Sequence, residues 1–212
     1  MGIRENRDEA VSPVIGVMLM LVVTIIVAAI VGVFVGNIGG GTTVAPSAAF
    51  DVRITSYGGE NHDQYVMTFE HVGGDPVPTR DLRIQTITTL TDGSSKAAMV
   101  TSYDQPVPIY KKMGDTETKV KIPYLVDASK GNPGDPAVDF GNFTFTSGNM
   151  ISSGTTVGTC GYDITGQHLR IPSMLGFDSE KVPEFGPGCE VEVKLVHIPS
   201  DKVIYSKKVI VH

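Results

Sequence analysis

Apolar and polar positions divide this chain into two regimes. Val14 to Gly36 runs for 23 residues without one charge. At ~1.5 Å per residue a helix of that length spans ~34 Å, enough to cross a bilayer. From Phe50 onward the pattern becomes an alternation with a period of two. "FDVRITSY" places Phe50, Val52, Ile54 and Ser56 on one face, and "QYVMTFEHV" sets Tyr65, Met67, Phe69 and His71 opposite Val66, Thr68, Glu70 and Val72. "RDLRIQTITTL" gives Leu82 and Ile84, then Thr86 or, across a bulge, Ile87. "VDFGNFTFT" continues the alternation. Val191–Ile198 and Val203–Val211 read as a closing hairpin around the turn sequence "PSDK". No amphipathic helix pattern follows residue 37. The expected fold class is α+β: one long N-terminal hydrophobic helix followed by an antiparallel, all-β, sandwich-like domain. Residues 131–166, rich in Gly, Asn, Ser and Thr, predict long loops around one or two strands.

"NIGGGTTVAPSAAF" (Asn37 to Phe50) marks the boundary, because three consecutive glycines stop a helix and a Gly/Thr/Ser/Ala/Pro mixture reads as a linker. The expected organisation is a hydrophobic helix over 11–37, a linker over 38–49 and one β domain over 50–212. Arg4 and Arg7 precede the apolar run and no Lys or Arg follows until Arg53. Basic residues beside a span stay in the cytoplasm, so the leader is expected inside and the β domain outside. A secretory signal has a core of only ~7–15 apolar residues with a cleavage site close behind, which this longer run does not match. Membrane lipid is therefore an expected partner. From Phe50 onward 15 Lys and Arg stand against 20 Asp and Glu, a net charge of −5. That acidity disfavours a nucleic-acid partner, whose binders carry basic patches.

Thr24, Ala28, Gly32 and Gly36 recur every four residues, and Gly32 to Gly36 is a GxxxG. Such a ridge of small side chains lets a second helix approach closely, where packing rather than hydrophobic transfer drives association. Ser12 is placed to cap the helix, and Pro13, which has no N–H to lose, fits its first turn.

The stretch "AVSPVIGVMLMLVVTIIVAAIVGVFVG" resembles the N-terminus of archaeal type IV pilins, with a short charged leader, a "VSPVIG" block and a hydrophobic helix. "FEHVGGDPVPTRDLRI" and the closing "GPGCEVEVKLVHIPSDKVIYSKKVIV" are similar to further parts of the same family. Counted from Val11, the fifth position is Ile15, where bacterial type IV pilins carry glutamate. Asp8 and Glu9 stand where archaellins often have a basic residue, so the resemblance is to pilins. It implies a prepilin. Residues 1–10 would be a leader cut off between Ala10 and Val11 by a membrane-embedded prepilin peptidase. The mature helix would then pack with copies of itself, or with related pilins, in an extracellular filament that adheres to surfaces or cells.

Candidate chemistry elsewhere is sparse. His62, His71, His168, His197 and His212 are scattered, with no HExxH, glycine-rich phosphate loop or GxSxG. No metal, cofactor or catalytic residue is expected. Cys160 and Cys189, the only two cysteines, are expected to pair outside the cell. Asn142-Phe143-Thr144 is a candidate N-glycosylation sequon at Asn142. The expected function is a structural filament subunit. The alternative is a membrane-anchored exterior binding or adhesion domain that does not polymerise, and an extracytoplasmic enzyme ranks last.

Overall fold

The structure, a computed structural model, describes residues 11–38, 43–56, 65–104, 106–110, 117–154, 160–162, 168–170, 174–177 and 182–212. It divides into two units, Met1–Thr43 and Val44–His212. In the first unit a single helix, α1, spans Val11–Ile38. Its sequence carries leucine, valine, isoleucine and alanine with no interior proline beyond Pro13, which lies in the first turn where no N–H partner is lost.

The second unit is built from strands β1 (Ala48–Ser56), β2 (Tyr65–Gly74), β3 (Val77–Pro78), β4 (Leu82–Thr89), β5 (Ser95–Thr101), β6 (Val107–Tyr110) and β7 (Glu117–Val120). It continues with β8 (Tyr124–Leu125), β9 (Thr144–Phe145), β10 (Met150–Ser152), β11 (Cys160–Tyr162), β12 (His168–Arg170), β13 (Glu190–His197) and β14 (Lys202–Ile210). One four-stranded antiparallel sheet has the order β1-β2-β10-β8 and the other β14-β13-β4-β5. Three short pairs, β3 with β9, β6 with β7 and β11 with β12, complete the described strands.

The alternation of the sequence becomes the inner faces of these sheets. Phe50, Val52 and Ile54 of β1, and Tyr65, Met67 and Phe69 of β2, are buried with Leu82, Ile84, Val191, Val193, Leu195 and Val209 of the second sheet in one apolar cluster. The sheets also meet at an edge. Ile54 and Val211 form a parallel bridge, the His212 amide donates to the Ile54 carbonyl (3.2 Å), and the Ser56 amide donates to the His212 carbonyl (2.8 Å).

Three local outcomes depart from the pattern or resolve it. β4 carries no bulge: Thr86 and Thr88 point inward while Ile87 is 38% exposed. The Thr86 hydroxyl donates to the Met174 carbonyl, which lets a polar side chain occupy the core. "VDFGNFTFT" does not form one strand, and only Thr144–Phe145 is extended. Val138, Phe140 and Phe145 are buried, but the chain turns between them. Gly141, at φ +102°, lies where an added Cβ would stand 2.6 Å from the Ser102 Cβ, so the backbone turns where a larger residue could not. The closing hairpin forms around a 3₁₀ turn at Ile198–Ser200, with Asp201 left-handed at φ 49°.

Candidate assembly helix

Unlike the strands, α1 is exposed along its described side chains, Val14–Val33. Fifteen large apolar side chains between Val14 and Val33 are each at least half exposed. The 20-residue window Val14–Val33 has a mean hydropathy of 3.2 and none of it is buried. At ~1.5–3 kcal/mol per covered side chain, enclosing these groups is worth tens of kcal/mol, which favours an apolar surrounding for the helix. The helix is apolar on every side rather than amphipathic, as expected of one surrounded by apolar neighbours.

Along the small-residue ridge, the only hydroxyl is already satisfied. Thr24 Oγ1 donates to the Leu21 carbonyl at 2.8 Å, within the helix. It therefore demands no outside partner in an apolar medium. Around Gly32 nothing lies within 4 Å of where a Cβ would stand, so no contact within the described chain requires glycine there. Ala28 is exposed and Gly36 lies near the end of α1. Val11 is the first residue of α1, with Ser12 and Pro13 behind it. Ala10, on the other side of the expected cut, lies outside the described residues.

The β domain holds the remaining candidates apart. His71 is fully buried, with Nε2 3.0 Å from the Asp75 carbonyl, and His197 Nδ1 lies 2.8 Å from Ser200 Oγ. His212 is exposed at the C-terminus; His62 and the side chain of His168 lie outside the described residues. Among the described residues, no three His, Cys, Asp or Glu gather to hold a metal ion. Shifted ionisation follows from local burial, local hydrogen bonds and surface charge pairs such as Glu192 with Lys208 across β13 and β14. Burial raises the Asp139 carboxyl above its usual range, burial and then the Asp51 charge raise the Tyr205 phenol, and the Ser129 hydroxyl lowers Asp127.

Cys189 is a buried free thiol that donates to the Glu184 carbonyl (3.2 Å) and accepts from the Gly186 amide (3.4 Å). Cys160 stands in β11 with its side chain outside the described residues. Asn142 is exposed, and its Nδ2 donates to the Pro136 carbonyl at 2.8 Å, a bond that a glycan on that nitrogen would have to share or replace. Both modifications are proposals that one experiment checks. Peptide mass spectrometry of unreduced native material is expected to find Cys160 and Cys189 linked, the link replacing the thiol's bond to Glu184, and Asn142 glycosylated. Alkylation of both thiols, or an unmodified Asn142 peptide, would end the corresponding proposal.

Two comparisons with known proteins bear on this chain. The family model described as archaeal type IV pilin, N-terminal, matches residues 9–50, a span that contains all of α1. An uncharacterized protein of Archaeoglobus fulgidus is 32% identical over 117 residues, which cover 55% of this chain and 76% of that protein.

Proposed function

Because the chain belongs to the archaeal type IV pilin family, whose members are structural rather than enzymatic, we propose that it is the repeating subunit of a type IV pilus-like surface filament. The single observation that carries this is α1, an uncharged apolar helix of 28 residues whose large apolar side chains from Val14 to Val33 are exposed. A precursor inserts it in the membrane with Arg4 and Arg7 in the cytoplasm. A prepilin peptidase then cuts between Ala10 and Val11. The cut removes Arg4, Glu5, Arg7, Asp8 and Glu9, every charge ahead of the helix. What remains is one α-amine before an apolar rod, which can move sideways from lipid into a core of like helices. A charged ten-residue leader would be costly to bury there. The small-residue ridge supports close approach in that core, and the β domain faces outward, where adhesion to surfaces or cells is its proposed role.

N-terminal sequencing of sheared surface material tests the reading. The sequence is expected to begin at Val11, and Ala10→Arg is expected to leave uncut precursor in the membrane. Surface filaments of this chain that still begin at Met1 or Gly2 would overturn it. Cut or uncut protein that stays in the membrane without filaments would instead support an anchored exterior binding domain.

A further inference from the structure

We infer that His71, Gly74 and Asp75 form a latch that seats Ser47, the residue through which the chain enters the β domain, and that they are positioning residues for the start of β1. Asp75 and Gly74 meet Ser47 directly, and His71 holds Asp75. The Ser47 amide donates to Asp75 Oδ2 (2.9 Å), and the Asp75 amide donates back to the Ser47 carbonyl (2.8 Å). Between them, Gly74 holds φ +103°, and a Cβ there would stand 2.3 Å from the Ser47 oxygen and 2.7 Å from the Ala48 Cα. Only glycine allows both that backbone angle and that approach.

Asp75 is in turn held from the core. Its carbonyl can only accept a hydrogen bond, so His71 Nε2, 3.0 Å away, carries the proton. The His71 ring is fully buried, edge-on to Phe50 (5.0 Å between centroids) and Phe145 (5.4 Å). Its backbone is fixed as well: the His71 amide donates to the Asn149 carbonyl (3.0 Å) and its carbonyl accepts from Gly148 (2.8 Å). The linkage therefore runs from the aromatic core through His71 to Asp75 and out to Ser47.

The register shows why the start of β1 needs such a hold. Ala48 pairs with Gly74 and Ala49 with Gly73, but a bulge between Ala49 and Phe50 separates these two pairs from the regular ladder. A two-pair segment beyond a bulge, with alanine and glycine side chains, has little to keep it from fraying. The carboxylate adds a charge-assisted bond at its outer end. In a filament, which rests on the proposed function above, a pull transmitted along the chain from α1 reaches the β domain through Ser47. The latch then decides whether β1 peels from its first residue.

Hydrogen exchange on the full chain in detergent tests the latch without assuming a filament. Asp75→Ala is expected to speed exchange of the Ser47 amide by about 10-fold, the scale of losing one partly solvated charge-assisted bond. Asp75→Asn, whose side-chain oxygen can accept the same bond, is expected to restore most of that protection. Gly74→Ala is expected to remove it with Asp75 intact, while the Asp51 and Arg53 amides, which face β2, stay protected in all three. Equal Ser47 exchange in wild type and Asp75→Ala, or an Asp75→Asn variant no better than Asp75→Ala, would overturn the latch. In sheared filaments, Asp75→Ala is expected to make residues 43–49 more sensitive to protease than in wild type. Absence of wild-type filaments would count against the pilus role, leaving the exchange result to decide the latch.

Discussion

Replacing Gly32 by leucine is expected to abolish surface filaments while leaving the amount of protein in the membrane unchanged. The monomer offers no reason for damage, since nothing in the described chain lies within 4 Å of a Cβ at that position. Leucine also favours the helix over glycine by ~0.8–1 kcal/mol, so a weaker α1 cannot explain a loss. What remains is the space a neighbouring helix needs to approach the ridge of Thr24, Ala28, Gly32 and Gly36. Val23→Leu is the matched control. Nine residues at about 100° each place Val23 on the opposite side of α1, and it is 50% exposed like its neighbours. Filament yield by electron microscopy, normalised to membrane protein, reads the outcome. Wild-type filaments from Gly32→Leu, or equal losses from both variants, would show the ridge to be incidental.

Phe69→Ala is expected to destabilise the β domain by ~3–5 kcal/mol, the range for emptying a buried aromatic site. Phe69 is fully buried at the middle of β2, opposite Val52 on one side and Ile151 on the other. Both neighbouring strands therefore line the cavity, and neither can close it without breaking its own register. Against a total stability of ~5–15 kcal/mol for a typical domain, the loss brings unfolding close to working temperatures. Val72→Ala, on the same strand but 58% exposed, is expected to change stability by no more than ~0.5 kcal/mol. Thermal unfolding of the full chain in detergent, followed by near-ultraviolet circular dichroism, compares them. Similar midpoints for the two variants would contradict the central place of Phe69.

Local pattern was enough to read α1, because its requirement is only an unbroken apolar run from Val14 to Gly36. The inner faces of β1, β2 and β13 were legible for a similar reason: a period of two forces Val52, Phe69 and Val193 to one side whatever the partner strand. The tertiary structure decided what no period encodes. Whether Thr86 or Ile87 faced inward depended on the Met174 carbonyl, which receives the threonine hydroxyl. The apolar residues of "VDFGNFTFT" entered the core through turns, because Gly141 passes against Ser102. β10, three residues long inside a loop-rich stretch, became an interior strand only because β2 and β8 pair with it from both sides. Ser47 and Asp75 lie 28 residues apart, so no local pattern in "GGD" points from one to the other. Its carboxylate gained an object only when the antiparallel pairing of β1 with β2 brought the start of one strand to the end of the other. Side-chain periodicity is a property of neighbours along the chain, whereas the partner of a polar group is chosen by which distant segment folding delivers to it.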